Sequence, residues 1–173
     1  FSEQRLGSRE FVDASLLAWS RGQGAQALAA LQGSPSPLAA VLRDAVQVLQ
    51  DAAVSDSHAR ERIERRALEA LAAARSHLRT LDLIGSLAPL VGLFGTVLGM
   101  IDAFQALQAA GDRVQPSILS GGIWQALLTT AVGLGIAIPT VALVSHFERR
   151  VEVFQQAMES ALTRLLTTPR SRA

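Results

Sequence analysis

The sequence contains no cysteine, no lysine and no tyrosine. The absence of cysteine excludes disulfides and thiolate metal sites. The three histidines, His58, His77 and His146, offer no ligand pair at helical spacing, so we expect no metal site. No Ser, His and Asp arrangement, phosphate-binding glycine loop or histidine and carboxylate cluster is recognisable, so the sequence predicts neither an enzyme nor a cofactor.

Neither sign of charge predominates, because the formal net charge is only +1. The basic segment 60–79 interleaves arginine with glutamate, which indicates a solvated helix face with ion pairs along one helix. Its arginines are suited to contact anionic lipid near a membrane, and a docking surface for a protein is the alternative. A uniform positive stripe is missing, so we expect no nucleic acid partner.

Two long segments lack charge altogether. Residues 83–101, between Asp82 and Asp102, would form a helix about 28 Å long, close to the hydrocarbon thickness of a bilayer. Residues 114–147 carry no Asp, Glu, Lys or Arg, which is too long for one span, so the second span is expected within 119–145. The lipid bilayer is therefore an expected partner of this chain.

The remaining segments predict an all-α integral membrane protein whose transmembrane helices extend into long cytoplasmic helices. Arginines cluster outside the two spans and only Arg113 lies between them, so both ends of the hairpin are expected in the cytoplasm. The chain begins with Phe1 and not Met, so we expect an unseen preceding segment. The predicted organisation is a cytoplasmic helical segment at 1–37, a long cytoplasmic helix at 38–81, spans at 82–102 and 119–145, a periplasmic loop at 103–118 and an amphipathic cytoplasmic helix at 146–173.

Small side chains recur in both spans at spacings of three, four and seven residues. Such residues let helix backbones approach closely in lipid. Two interpretations remain open, in which the two spans pack on each other or pack into an assembly of more helices. The positions assigned to helix packing are Gly92, Gly95, Gly99, Gly122, Ala126 and Gly133.

Three polar side chains stand out within the apolar spans. Thr96 and Thr130 are expected at depths that differ by only about 6 Å, so their hydroxyls either line one level of a pore or bond the carbonyl four residues back. Gln125, beside Trp124, is suited to a hydrogen bond between helices or to the headgroup zone. No side chain within either span titrates near neutral pH, so a partner must supply any proton-carrying carboxylate.

The two spans resemble a known family. The segments "APLVGLFGTVLGMIDAF", residues 88–104, and "GGIWQALLTTAVGLGIAIPTVAL", residues 121–143, are similar to the ExbB, TolQ and MotA proton-channel family, and more to ExbB and TolQ than to MotA. The resemblance implies an inner-membrane protein of a Gram-negative bacterium with three spans, the first of them before Phe1. Thr96 and Thr130 match the pore-facing threonines of the family motifs, whereas Gln125 stands where the family commonly has a carboxylate.

The resemblance also implies partners and an activity. Five copies would surround the single spans of two ExbD-like chains, each with a membrane aspartate, and protons would be the coupling ion. The motion would pass to a TonB-like or TolA-like protein, so the predicted function is a stator or channel subunit that energises outer-membrane transport. A TolQ-like role in envelope integrity and division, and a membrane scaffold that conducts nothing, are the alternatives.

Overall fold

The computed structural model describes residues 3–110 and 116–168, and the side chains of residues 10–109 and 119–168. Over this part of the chain it contains five helices and no strand. The helices are α1 at Glu3–Ser20, α2 at Gly24–Gln32, α3 at Pro37–Gln50, α4 at Asp56–Ala110 and α5 at Pro116–Thr167. The all-α membrane fold class is confirmed, with both apolar segments inside helices far longer than a bilayer needs.

Glycine and proline lie at the breaks between the first three helices. Gly22 has a φ of 74° between α1 and α2, a conformation that side-chain-bearing residues rarely adopt. Pro37 occupies the first turn of α3, where its missing N–H has no helical acceptor to lose. Helix α2, only nine residues long, lies between these two positions.

The chain divides into two compact units, Phe1–Arg75 with Arg150–Ala173, and Ser76–Arg149. The first unit has a hydrophobic core built from α1, α2, α3 and the parts of α4 and α5 that belong to it. The predicted apolar stripe of the C-terminal helix supplies Met158, Leu162 and Leu165 to this core. The other buried core residues are Val12, Leu16, Trp19, Ala27, Leu31, Leu38, Ala39, Val41, Leu42, Ala45, Val46, Leu49, Ala59, Ile63 and Ala161.

Trp19 donates a hydrogen bond to a backbone carbonyl near the end of α5 in the first unit. The Leu165 carbonyl would normally accept from the N–H of residue 169, but residue 169 is proline and has no N–H. The buried Trp19 indole donates from Nε1 to this carbonyl at 3.2 Å instead. One side chain of α1 therefore satisfies a backbone group at the end of α5.

We expect Trp19→Phe to destabilise the first unit by about 1–3 kcal/mol, because it leaves the Leu165 carbonyl without that donor. The matched control is Trp124→Phe in the second unit, where the tryptophan is 70% exposed. Thermal unfolding of the purified protein in detergent, followed by circular dichroism, measures both variants. An equal effect of the two substitutions would show that the indole hydrogen bond is unimportant.

The predicted continuous helix at 38–81 is wrong, since α3 ends at Gln50 and α4 begins at Asp56. The break contains neither glycine nor proline, and side-chain caps explain it instead. The Asp51 carboxylate accepts from the Ala53 N–H at 3.0 Å, and the Ser55 hydroxyl accepts from the His58 N–H at 3.4 Å. Short polar side chains offer the backbone these alternative partners and so end one helix and begin the next.

The predicted loop at 103–118 is also too long. Helix α4 continues to Ala110 and α5 begins at Pro116, so most of that segment is helical. The segment "AFQALQAA" after Asp102 is rich in alanine, leucine and glutamine, which favour helix whether or not they lie in lipid. Residues 111–115 lie outside the described residues.

The interleaved charges at the start of α4 form ion pairs, as expected. Arg65 and Arg66 each pair with Glu69 on the same helix, at 3.8 Å and 3.5 Å. Arg66 also donates from Nε to the Asp44 carboxylate of α3 at 2.7 Å. That hydrogen bond and the charge of Asp44 raise the pKa of Arg66 above its ordinary value, so the guanidinium stays charged. All four side chains are exposed, and the pairs orient helices more than they stabilise them.

The second unit holds the two apolar segments as a hairpin of α4 and α5. Both helices are long and apolar enough to cross a membrane, and only 11% and 17% of their most apolar windows are buried within the chain. Large side chains such as Val91, Phe94 and Ile138 are more than half exposed. An outward apolar surface of this kind is suited to lipid or to neighbouring apolar helices.

Candidate functional site in the membrane hairpin

Backbone approaches backbone where α4 and α5 cross. A methyl group built on Gly92 would lie 3.0 Å from the Thr129 carbonyl oxygen and 3.3 Å from the Gly133 Cα. A methyl group on Gly133 would lie 2.7 Å from the Ala88 carbonyl oxygen and 3.0 Å from the Gly92 Cα. These neighbours are backbone atoms that cannot rotate away, so only glycine permits this separation of the helices.

The contact extends along the hairpin through three more close approaches. Gly95 faces the Thr129 side chain, Gly99 faces Ala126, and Gly122 faces Ala103. The structure thus places all six predicted packing residues at the contact between α4 and α5. Gly121 and Gly135 differ from them, because a methyl group built on either would meet nothing within 4 Å.

Two threonine hydroxyls converge on one carbonyl at the centre of this contact. Thr130 Oγ1 donates to the Gly92 carbonyl oxygen at 3.3 Å, and Thr129 Oγ1 lies at the same distance from the same oxygen. Thr129 Oγ1 also donates to the Ala126 carbonyl in its own helix at 2.7 Å. Because the helical N–H of Thr96 points to the Gly92 carbonyl, Thr130 lies level with the turn from Gly92 to Thr96.

Thr96 and Thr130 are both half-buried, and their hydroxyls are held differently. Thr96 Oγ1 donates to the Leu93 carbonyl at 2.7 Å, three residues back on α4. This is the backbone bond that the sequence left open for Thr96, one residue nearer than expected. Thr130 instead donates across the hairpin to Gly92, so its hydroxyl joins two helices.

Gln125 is not brought together with the threonines. It lies on the exposed side of α5 beside Trp124.

Thr129 is the residue that sequence reasoning missed as a polar group. The sequence singled out only Thr130 of the adjacent pair, yet the Thr129 hydroxyl bridges both helices. The adjacent threonines 129 and 130 were the available sign of such a contact. Which of them faces Gly92 depends on the register between the two helices, and the sequence of one helix does not determine that register.

A family model decides what kind of protein contains this hairpin. The model of the MotA/TolQ/ExbB proton channel family matches residues 34–160, which include both apolar segments and α3. The chain belongs to this family. Its family is one of proton channels and not a class of enzymes, and the motif that carried the resemblance surrounds the Gly92 and Thr130 contact.

Relatives of this MotA/TolQ/ExbB family member bear two kinds of name. The chain is 49% identical over 67 residues to the biopolymer transport protein exbB1 of Vibrio cholerae, covering 39% of this chain and 29% of that protein. It is 39% identical over 83 residues to the biopolymer transport protein ExbB of Pseudomonas putida, covering 48% and 25%. It is 40% identical over 73 residues to the Tol-Pal system protein TolQ of Haemophilus influenzae, covering 42% and 32%. These matches span about a quarter to a third of each relative.

The packing of this family member's hairpin is open to a direct test, because the chain has no native cysteine. We expect Gly99→Cys with Ala126→Cys to form an intramolecular disulfide on mild oxidation in membranes. A methyl group on Gly99 would lie 3.0 Å from the Ala126 Cβ, slightly closer than a disulfide prefers, and a small relaxation suffices.

The control pair is Gly99→Cys with Leu128→Cys, since Leu128 is half exposed on α5. Gel mobility with and without reductant reports the bond. Equal cross-linking of both pairs would contradict the observed register of the helices.

Proposed function

We propose that this chain is the ExbB-like channel subunit of a motor driven by the proton motive force. It acts with an ExbD-like single-span protein and energises a TonB-like protein for outer-membrane transport. Membership of a proton channel family supports the proton-conducting part of this proposal. The names of the ExbB relatives, which are biopolymer transport proteins, support the transport part.

The observation that carries the proposal is the polarity of the hairpin at the Gly92 level. Thr130 presents a hydroxyl there, and Thr96 lies on the same turn, but residues 83–101 and 119–145 contain no carboxylate and no histidine. A hydroxyl with a pKa far above neutral does not carry a proton by itself, yet it stabilises a carboxylate that does. The hairpin is therefore suited to serve a proton carrier supplied by another chain.

The carrier in this proposal is an aspartate on the partner's span. Burying an unpaired carboxylate in lipid costs several kcal/mol, whereas a hydroxyl donor lowers its pKa by stabilising the charged form. The aspartate loses its proton where it meets Thr96 and Thr130, and regains one where it faces apolar surface. Gln125 does not supply a charge, so protonation depends on the partner's aspartate alone.

The assembly we propose has several copies, five by resemblance, around the partner's helices in the inner membrane. Both ends of the hairpin face the cytoplasm in this arrangement, as the arginine distribution favours. The exposed apolar surface of α4 and α5 supports contact with lipid and neighbouring subunits.

Two alternatives have support of their own. TolQ relatives match at identities similar to those of the ExbB relatives, which supports a role in envelope integrity through a TolA-like effector. All six packing residues lie inside the hairpin, which supports a scaffold that conducts nothing. The identity of the co-purifying effector separates the first alternative, and proton flux separates the second.

The test is proton flux in liposomes that contain the full chain together with an ExbD-like single-span protein that co-purifies with it. We expect an imposed pH gradient to drive flux that a trapped pH-sensitive dye reports. The chain alone, and the complex in which the partner's membrane aspartate is replaced by asparagine, should show none. A correctly assembled wild-type complex that carries no protons would contradict the proposal and favour the scaffold.

A further inference from the structure

The Gly92 carbonyl has more donors than lone pairs. The helical N–H of Thr96 occupies one lone pair, so a single acceptor site is left for hydroxyl donors. Thr129 Oγ1 and Thr130 Oγ1 both lie 3.3 Å from this oxygen. The two hydroxyls therefore compete for one site, and either one satisfies it.

The competitors differ in what else they bond. Thr129 has a second acceptor, the Ala126 carbonyl at 2.7 Å. Among the described residues, the Thr130 hydroxyl donates to the Gly92 carbonyl alone. The Thr129 hydroxyl can therefore donate to either of two carbonyls, whereas Thr130 must break its bond to Gly92 before it donates to another acceptor.

The surroundings keep the Thr129 side chain within reach of both acceptors. Gly95 lies directly against it, and a methyl group there would be 2.7 Å from Oγ1 and 2.8 Å from Cβ. A larger residue at position 95 would push the hydroxyl away from α4. Gly95 therefore has a second use beside close packing, which is to admit the Thr129 hydroxyl to the hairpin contact.

We propose that Thr129 is a positioning residue for Thr130. When the Thr130 hydroxyl leaves Gly92 to donate to the partner's carboxylate, the Thr129 hydroxyl turns from Ala126 to Gly92 and occupies the vacated site. The Ala126 carbonyl keeps the helical N–H of Thr130 during this exchange. No proton leaves either hydroxyl, since each only changes the oxygen to which it donates. The inference rests on the proposed function, because it explains how Thr130 becomes available to the carrier.

The first experiment follows the Gly92 carbonyl and needs no proton flux. Labelling the full chain with ¹³C-carbonyl glycine and ¹⁵N-leucine selects two peptide bonds, Gly92–Leu93 and Gly133–Leu134, and the exposed Leu134→Ile variant removes the second signal. We expect Thr129→Val and Thr130→Val each to leave the Gly92 carbonyl shift near the wild-type value, because the remaining hydroxyl occupies the site. The double variant should move the signal to lower chemical shift. A single variant that moves it as far as the double variant would overturn the exchange.

The second experiment measures proton flux of the reconstituted complex across pH. Without the Thr129 hydroxyl, the Gly92 carbonyl loses its hydroxyl donor whenever Thr130 turns to the carboxylate. Thr130 then donates to the charged carboxylate less readily, which raises the pKa of the carrier. We expect Thr129→Val to reduce flux about fivefold and to move the pH midpoint upward by about 0.7 pH units, the equivalent of that factor. Thr129→Ser, which restores the hydroxyl, should recover both values.

The outcomes separate this inference from the proposed function. Wild-type complex without flux, together with the expected carbonyl shifts, would contradict the function while the hydrogen-bond exchange stands. Normal wild-type flux with an unmoved pH midpoint in Thr129→Val would overturn the positioning role alone. Failure of Thr129→Ser to recover flux, with the hairpin cross-link intact, would show that the methyl group and not the hydroxyl matters.

Discussion

Gly133→Ala is expected to abolish most of the proton-driven activity by separating the two helices of the hairpin. The added methyl group would lie 2.7 Å from the Ala88 carbonyl oxygen and 3.0 Å from the Gly92 Cα. Since neither atom can rotate away, the helices must part, which costs about 1–3 kcal/mol of packing energy. Parting also moves the Thr129 and Thr130 hydroxyls, each already 3.3 Å from the Gly92 carbonyl oxygen, beyond hydrogen-bond range of it, so Thr130 is no longer held in position for the carrier and Thr129 cannot replace it. We expect less than about a tenth of wild-type flux.

The control is Gly135→Ala on the same helix, where the methyl group meets nothing within 4 Å. Alanine is the better helix former, so this variant should be as stable as the wild type or more so. Unfolding by SDS in mixed micelles and liposome flux measure both variants. If Gly135→Ala were as damaging as Gly133→Ala, the hairpin contact would not be the cause, and the outward face of α5 would be the sensitive surface.

Thr130→Val should reduce proton flux about tenfold or more while the complex still assembles. Valine keeps the shape of threonine but has no donor, so in the proposed mechanism the partner's carboxylate loses a hydrogen bond to its charged form. A bond to a charged group contributes about 1.5–3 kcal/mol, which corresponds to roughly 10-fold to 150-fold. The sign is fixed: losing this donor raises the carboxylate pKa, so the flux profile should move to higher pH.

Thr140→Val is the matched control, because Thr140 Oγ1 donates only to the Ile136 carbonyl, four residues back, among the described residues. It lies on the same helix and has the same chemistry, so a general loss of hydroxyls would affect both variants alike. Thr130→Ser should retain most of the flux. Full activity of an assembled Thr130→Val complex would refute the role of this hydroxyl.

Much of the fold followed from the placement of charge. Asp82, Asp102 and Glu148 bound the apolar segments, and both segments lie within helices long and apolar enough to cross a membrane. The break between α3 and α4 was missed because Asp51 and Ser55 make it with side-chain caps rather than with glycine or proline. Caps of this kind depend on one or two hydrogen bonds between a side chain and the nearby backbone. Hydropathy and periodicity do not reveal such bonds.

The candidate site was predictable in composition but not in contact. Small residues in both spans predicted close packing, and the glycines at positions 92 and 133 do face the neighbouring helix. The bond of Thr130 to Gly92 depends on the register of two antiparallel helices, which residues 38 positions apart set together. For the same reason the sequence did not single out Thr129, whose acceptors depend on the same register.

The glycine contact has a mechanical consequence. Helices that touch through side chains can slide by changing rotamers, but helices that touch through carbonyl oxygens and Cα atoms have no soft layer between them. The hairpin should therefore respond to a push from a neighbour as a single stiff rod. Any movement that the working assembly makes would then take place between hairpins, or against the partner's helix, and not within one.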